Sequence, residues 1–334
     1  MPNLSYASEA GPTTLLITFT DIKESHDFVN YFTYDPINNK EESLGFRRRV
    51  ETMYPTGVLT KDRKNLYINR LESTDGKSYI GLYSWALPPS SGQGPKQLTN
   101  RSKITNVDHL RYNNNKSLVY MRVVQPNHRN AQLATYDVAS KKTTVWNAQD
   151  STIEVQNFDY TPVTDQVISL EFSLVEEAAN IVEANEEESP LRPPTFHIVL
   201  YDSSGQKIRE VASIKKHILD ISFSPDAKTA LLTATDQYNA GSKYSVYSLD
   251  LTSGEVTTVF KETDQFTKIK QAQYSPDGKK IYFLTVKRDT LPLSNQPGRR
   301  VRPRSIAAYN VATQEFSDVW KKEKGTINNF LVID

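Results

Sequence analysis

The chain has 334 residues, 37% hydrophobic and 24% charged, the composition of a folded globular protein and not of a disordered or membrane-spanning one. Forty Lys and Arg against 39 Asp and Glu leave a formal charge of +1, so no global field draws it to nucleic acid or anionic lipid. The lack of cysteine excludes disulfides, a thiolate nucleophile, a Cys-ligated zinc and an iron–sulfur cluster, and the longest apolar runs, such as Thr13 to Phe19, are too short to cross a bilayer.

Residues 1–12 open a polar, small-residue stretch that reads as a linker of the kind left when a leader or lipid anchor has been removed; a plain cytoplasmic start is the alternative. From residue 13 to 334 short apolar strands alternate with turn residues as one domain. Thr14–Thr20 and Val29–Tyr34 are strands, the second ending in Tyr34-Asp35-Pro36. Leu59-Thr60-Lys61-Asp62 precedes Asn65-Leu66-Tyr67-Ile68, and Tyr83-Ser84-Trp85 leads into a longer turn through Pro88 to Gly94. Tyr112-Asn113-Asn114-Asn115 precedes Leu118-Val119-Tyr120, and the following aromatic strand closes at Tyr136-Asp137. Tyr160-Thr161-Pro162 precedes Gln166-Val167-Ile168, and the matching strand closes at Tyr201-Asp202-Ser203-Ser204-Gly205. Ile218 to Asp226 and Ile269 to Asp277 each end in Ser-Pro-Asp and run into a second apolar strand; their aromatic or aliphatic partners close at Leu249 to Gly254 and Tyr309 to Thr313.

Asp226 and Asp277 lie 51 residues apart, and the weaker copies fall at a similar spacing. Short alternating strands at such a period mark propeller blades. Six copies of the aromatic strand give about 56 residues per unit, and the predicted fold is an all-β, six-bladed propeller of four-stranded antiparallel blades. A Ser-Pro-Asp-Gly stretch presets φ at proline and accepts a left-handed residue at glycine, so it reads as a hairpin turn. The last residues, Ile327 to Asp334, match an innermost strand that the first blade lacks, so the C-terminal strand is expected to close the ring in the N-terminal blade and leave no free sheet edge there.

The two Ser-Pro-Asp segments, Ser224–Asp226 and Ser275–Gly278 with their flanking strands, resemble the propeller repeats of the TolB family, which also occur in prolyl-oligopeptidase-like proteins. The resemblance implies a six-bladed fold in an extracytoplasmic protein that usually serves as a binding scaffold. The motif residues are turn residues and carry no site across.

Two second-to-third strand connections are long. Residues 174–194 hold Glu176, Glu177, Glu183, Glu186, Glu187 and Glu188; residues 287–304 hold Arg288, Arg299, Arg300 and Arg302. Strand polarity puts both on one face, one blade apart. These charges either pair or stay solvated, at about 0–1 kcal/mol per pair, or they form a bipolar platform for a charged partner. Leu174, Ala178, Ile181 and Val182 lie at helical spacing, which predicts a short helix packing its apolar side on the propeller.

Three residues before the aromatic or aliphatic anchor of each inner strand stand Thr56, His109, Asn157, Asp220, Gln271 and Asn329, all polar. Buried between blades unpaired, such groups would be costly, so the column is expected to line the channel mouth with Asp108 and Arg111 nearby. It either contacts a ligand or metal, or bonds water and neighbouring blades.

His26, His109, His128, His197 and His217 show no zinc-helix spacing, and no Gly-x-Ser-x-Gly elbow, P-loop or dinucleotide fingerprint is present. Gly92-Gln93-Gly94 lies in a Pro/Ser turn, and Ser73 to Gly76 reads as a hairpin turn rather than a calcium loop. No metal or cofactor is expected. The favoured expectation is a monomeric, non-catalytic, extracytoplasmic scaffold that recognises a protein or peptide through the loop-decorated face and the channel mouth. The alternative is a lyase- or hydrolase-type enzyme, or a carbohydrate binder, sited around His109 with Asp108, Asp159 and Asp220 as acid–base candidates. Nucleic acid is not expected, because Arg288 to Arg304 lacks interleaved aromatics.

Overall fold

Each repeat unit becomes one antiparallel sheet. The computed structural model describes residues 13–22, 27–49, 55–74, 76–88, 94–237, 241–296 and 299–333; the linker 1–12, His26, Asp75 and Gly92 fall outside them. From the axis outward, blade 1 is Gly325–Ile333, Thr14–Asp21, Phe28–Asp35 and Lys40–Arg49, and blade 2 is Gly57–Leu59, Asn65–Thr74, Lys77–Ala86 and Lys96–Gln97. Blade 3 is Asn106–Asn113, Leu118–Val124, Ala131–Asp137 and Lys142–Val145; blade 4 is Ile153–Thr161, Gln166–Ser173, Phe196–Asp202 and Lys207–Ile214. Blade 5 is His217–Phe223, Thr229–Thr235, Ser245–Asp250 and Val256–Lys261; blade 6 is Phe266–Tyr274, Lys280–Lys287, Ser305–Asn310 and Phe316–Trp320. The protein is therefore a six-bladed β-propeller. Its long connections carry one helix, α1 (Leu174–Glu186), and a two-stranded ribbon of Leu293–Gln296 and Arg299–Val301.

Successive strand residues point to opposite faces of a sheet, and in a propeller both faces meet another blade. Leu15, Ile17 and Phe19 accordingly pack toward blade 6 with Tyr282 and Leu284. Leu16, between them, packs toward blade 2 with Leu66 and Ile68. The other apolar clusters likewise sit between neighbouring blades, not on the axis.

The turn joining the first and second strands repeats its chemistry. In Ser275-Pro276-Asp277-Gly278, the serine hydroxyl donates to the aspartate at 2.6 Å, the aspartate accepts from Lys279 N at 3.1 Å, and Gly278 takes φ +68°. Ser224–Ala227 reproduces it with Ala227 at φ +55°, and Thr60–Arg63 with Arg63 at φ +56°. These turns satisfy themselves and stay short.

The ring closes as expected. Gly325–Ile333 pairs with Thr14–Asp21, Ile333 opposite Thr14 and Gly325 opposite Asp21. Phe330 in that closing strand is fully buried between blades 1 and 6. Phe330→Ala should cost about 3–5 kcal/mol and lower the urea midpoint of a single cooperative transition; an unchanged midpoint would mean that the closing strand contributes little to stability.

Candidate binding funnel

The six inner strands converge on the axis, and their last residues enclose a funnel of about 810 Å³. Every blade contributes two consecutive residues to it. A floor ring is formed by Leu331, Val58, Arg111, Asp159, Ser222 and Gln273, and a wall ring by Val332, Leu59, Tyr112, Tyr160, Phe223 and Tyr274. The wall residues are the apolar anchors at the ends of the inner strands. Lys61, Arg63, Asn114, Asn115 and Val163 stand at the rim, on the turns between first and second strands. The funnel therefore opens on the face of the short self-capped turns, opposite the long loops.

The one ion pair on the floor is inward and occupied. Arg111 Nε donates to Asp159 Oδ1 at 2.5 Å, with both side chains about one-sixth exposed or less (16% and 14%). Asp159 Oδ2 also accepts from Phe223 N at 2.8 Å, so the pair ties blades 3, 4 and 5 together. Gln273 spans blades 6 and 1, donating to Phe330 O at 3.1 Å and accepting from Val332 N at 3.0 Å.

The polar column lies one layer deeper, and none of Thr56, Asp108, His109, Asn157, Asp220, Gln271 and Asn329 lines the funnel. Most of these residues join blades. Asn329 Nδ2 donates to Thr56 Oγ1 at 2.6 Å, between blades 1 and 2. Asn157 Nδ2 donates to Asp220 Oδ1 at 2.9 Å, and Asp220 Oδ2 accepts from Gln271 N at 3.1 Å, which links blades 4, 5 and 6. Burial pushes the Asp220 carboxyl above the usual range; the Gln271 amide and the nearby Lys270, Arg111 and Arg304 only partly offset it. Asp108 is clasped by Arg122 through bonds of 2.6 and 2.8 Å, and Arg122 continues to the carbonyls of Val155 and Gln156 in blade 4. Burial raises the Asp108 carboxyl, but the hydrogen bonds and charge of Arg122 outweigh it and hold the group below the ordinary value.

His109 differs from its column. It is the extra residue of a bulge between Asp108 and Leu110, with φ +44°. Its ring lies 6.3 Å from that of Phe158, and it has no hydrogen-bond partner among the described residues. Burial, then the charge of Arg122, pushes its pKa down to about 3, with Asp108 opposing, so the imidazole is neutral at pH 7. Among the described residues no three His, Asp or Glu side chains gather as a metal site.

On the opposite face α1 leaves blade 4 and the ribbon leaves blade 6. Glu186 closes α1; Glu187 and Glu188 follow it, exposed. Arg288 reaches Asp264 at 3.9 Å, Arg302 is exposed, and Arg299 and Arg300 form the ribbon's second strand. The acidic and basic loops share a face; Arg192 pairs with Glu183 at 2.9 Å within the first, and Arg288 of the second reaches Asp264 instead.

The fold and this funnel define a β-propeller of TolB-like architecture. TolB of Acinetobacter baumannii superposes with a TM-score of 0.58 at 13% identity, covering 95% of this chain and 66% of that one. A structure of oligogalacturonate lyase in complex with manganese superposes at 0.53 with 12% identity, over 93% of this chain and 73% of that one. In sequence, the uncharacterized protein YdjN of Bacillus subtilis (strain 168) is 30% identical over 190 residues; the match spans 56% of this chain and about half, 53%, of that protein. No family model matches.

A base whose pKa is depressed by folding stabilises the fold fully above its unfolded value and loses that contribution as pH falls through the folded one. His109 should therefore destabilise the protein progressively from about pH 6.5 toward pH 3. His109→Gln should show a smaller drop in urea midpoint between neutral and acidic pH than wild type. Parallel curves would show the imidazole to be charged in the fold.

Proposed function

We propose that this propeller is a non-catalytic binding scaffold, acting outside the cytoplasmic membrane, which takes an extended segment of a protein or peptide partner into the funnel. The opposite face, with Glu186, Glu187, Glu188, Arg288, Arg299, Arg300 and Arg302, is its second contact surface. The observation that carries this reading is the layered funnel: a ring of aromatic and aliphatic side chains above a floor bearing Arg111, Asp159, Ser222 and Gln273. An extended segment needs apolar pockets for its side chains and polar partners for its backbone, and this layering offers both. Because Arg111 and Asp159 are engaged with each other and with the Phe223 amide, the floor is better suited to recognition than to moving protons. The TolB-like Ser-Pro-Asp repeats support the location and the scaffold role.

Peptides selected from a random phage-displayed library on the wild-type protein provide the test, measured afterwards by fluorescence anisotropy. Val163, 60% exposed at the rim, can be replaced without touching the core. The selected peptides should bind wild type and the Arg299→Ser/Arg300→Ser/Arg302→Ser variant alike, and bind Val163→Asp/Lys61→Glu/Arg63→Glu about ten-fold or more weakly. Loss in the arginine variant alone would move recognition to the other face, and a library yielding no binder would remove the funnel reading.

A further inference from the structure

Helix α1 is built inside out. Ser173 caps its N-terminus, accepting from Glu176 N at 3.3 Å. Glu176, Asn180 and Glu183 recur at i, i+4 and i+7 and so share one stripe. That polar stripe faces the protein: Thr195 Oγ1 donates to Glu176 at 2.9 Å, Asn180 Nδ2 to the Arg192 carbonyl at 3.3 Å, and Arg192 to Glu183 at 2.9 Å. Leu174 alone roots the helix in the apolar cluster of blades 4 and 5. Five of the other apolar side chains turn outward. Val175, Ile181 and Val182 are 66%, 42% and 54% exposed, with Ala178 and Ala179 exposed between them, and no residue of the helix is buried.

Ordinary surface helices do the reverse, burying the apolar stripe and wetting the polar one. A 13-residue helix gains little from propensity alone. The described residues include eight large exposed hydrophobics, and three of them lie on this helix. Such concentration marks a docking surface.

Charge chooses the occupant. Between Leu174 and Glu188 there are six glutamates and no Lys or Arg. Glu186, Glu187 and Glu188 crowd the C-terminal end, where the helix dipole already disfavours negative charge. A second copy of the helix would bring carboxylate against carboxylate, and an anionic membrane surface would repel it. A basic partner would relieve both costs. We propose that the outward apolar stripe of α1 docks a basic amphipathic helix of a protein partner, its apolar side on Val175, Ala178, Ile181 and Val182 and its Lys or Arg beside Glu186, Glu187 and Glu188. This deepens the scaffold reading at its second face and does not depend on what the funnel holds.

The probe is a fluorescein-labelled Leu/Lys peptide of about eighteen residues with its leucines on one helical stripe, compared with a counterpart in which Glu replaces Lys. Wild type should bind the Lys peptide and not the Glu peptide. Val175→Ser/Ile181→Ser/Val182→Ser and, separately, Glu186→Gln/Glu187→Gln/Glu188→Gln should each weaken binding about ten-fold or more without lowering the melting temperature, while Val163→Asp leaves it unchanged. Equal binding by wild type and the serine variant overturns the proposal. So does wild-type self-association, or sedimentation with phosphatidylglycerol vesicles, that the serine variant abolishes. Failure here with the funnel peptides still bound would leave the funnel standing.

Discussion

Inner strands of neighbouring blades approach the axis but belong to different sheets, so no backbone ladder can join them. Side chains do it instead, at all six junctions. Asn329 meets Thr56, Asn69 reaches Val107 O, and Arg122 reaches the Val155 and Gln156 carbonyls. Asn157 meets Asp220, Ser222 reaches Ala272 O, and Gln273 spans to Phe330 and Val332. Bulges in the inner strands, as at His109, Leu219 and Gln271, break the regular alternation of side chains beside these links. Polar side chains reaching across the gaps near the axis thus hold together a ring made of separate sheets.

The same strand polarity makes the two mouths different. Turns between first and second strands are capped by their own Ser, Thr and Asp side chains, so they stay low and leave the funnel open. Connections between second and third strands have no such constraint, and two of them carry α1 and the ribbon. One mouth is therefore a concave site with apolar walls, and the other a decorated, charged surface. TolB and a manganese-bound lyase share the architecture, which is why function has to be argued from these surfaces and not from the fold.

Helix α1 shows how local and tertiary demands can disagree. Its cap and its polar stripe are both satisfied within the protein, yet Val175, Ile181 and Val182 are left in water. Natural sequences seldom keep such a conflict without a use for it.

Much of this was legible in the residues alone: the six repeats, the Ser-Pro-Asp turns, the closing strand at Ile327 and the helix at Leu174. Strand alternation and turn chemistry are local, and a repeated local pattern leaves a ring as the way to cover every sheet face. The depth of a side chain along the axis is not local. Thr56, His109, Asn157, Asp220, Gln271 and Asn329 stand out for being polar, whereas the residues two and three places on, among them Tyr112, Tyr160, Phe223 and Tyr274, look like ordinary core. Only the convergence and bulging of six strands decide that Asn329 meets Thr56 and Asn157 meets Asp220 across blades, that His109 is left without such a bond among the described residues, and that the latter set lines the funnel. The direction of the apolar side of α1 was equally hidden, because periodicity reveals that a helix has two faces while the neighbours at Arg192 and Thr195 determine which one turns inward.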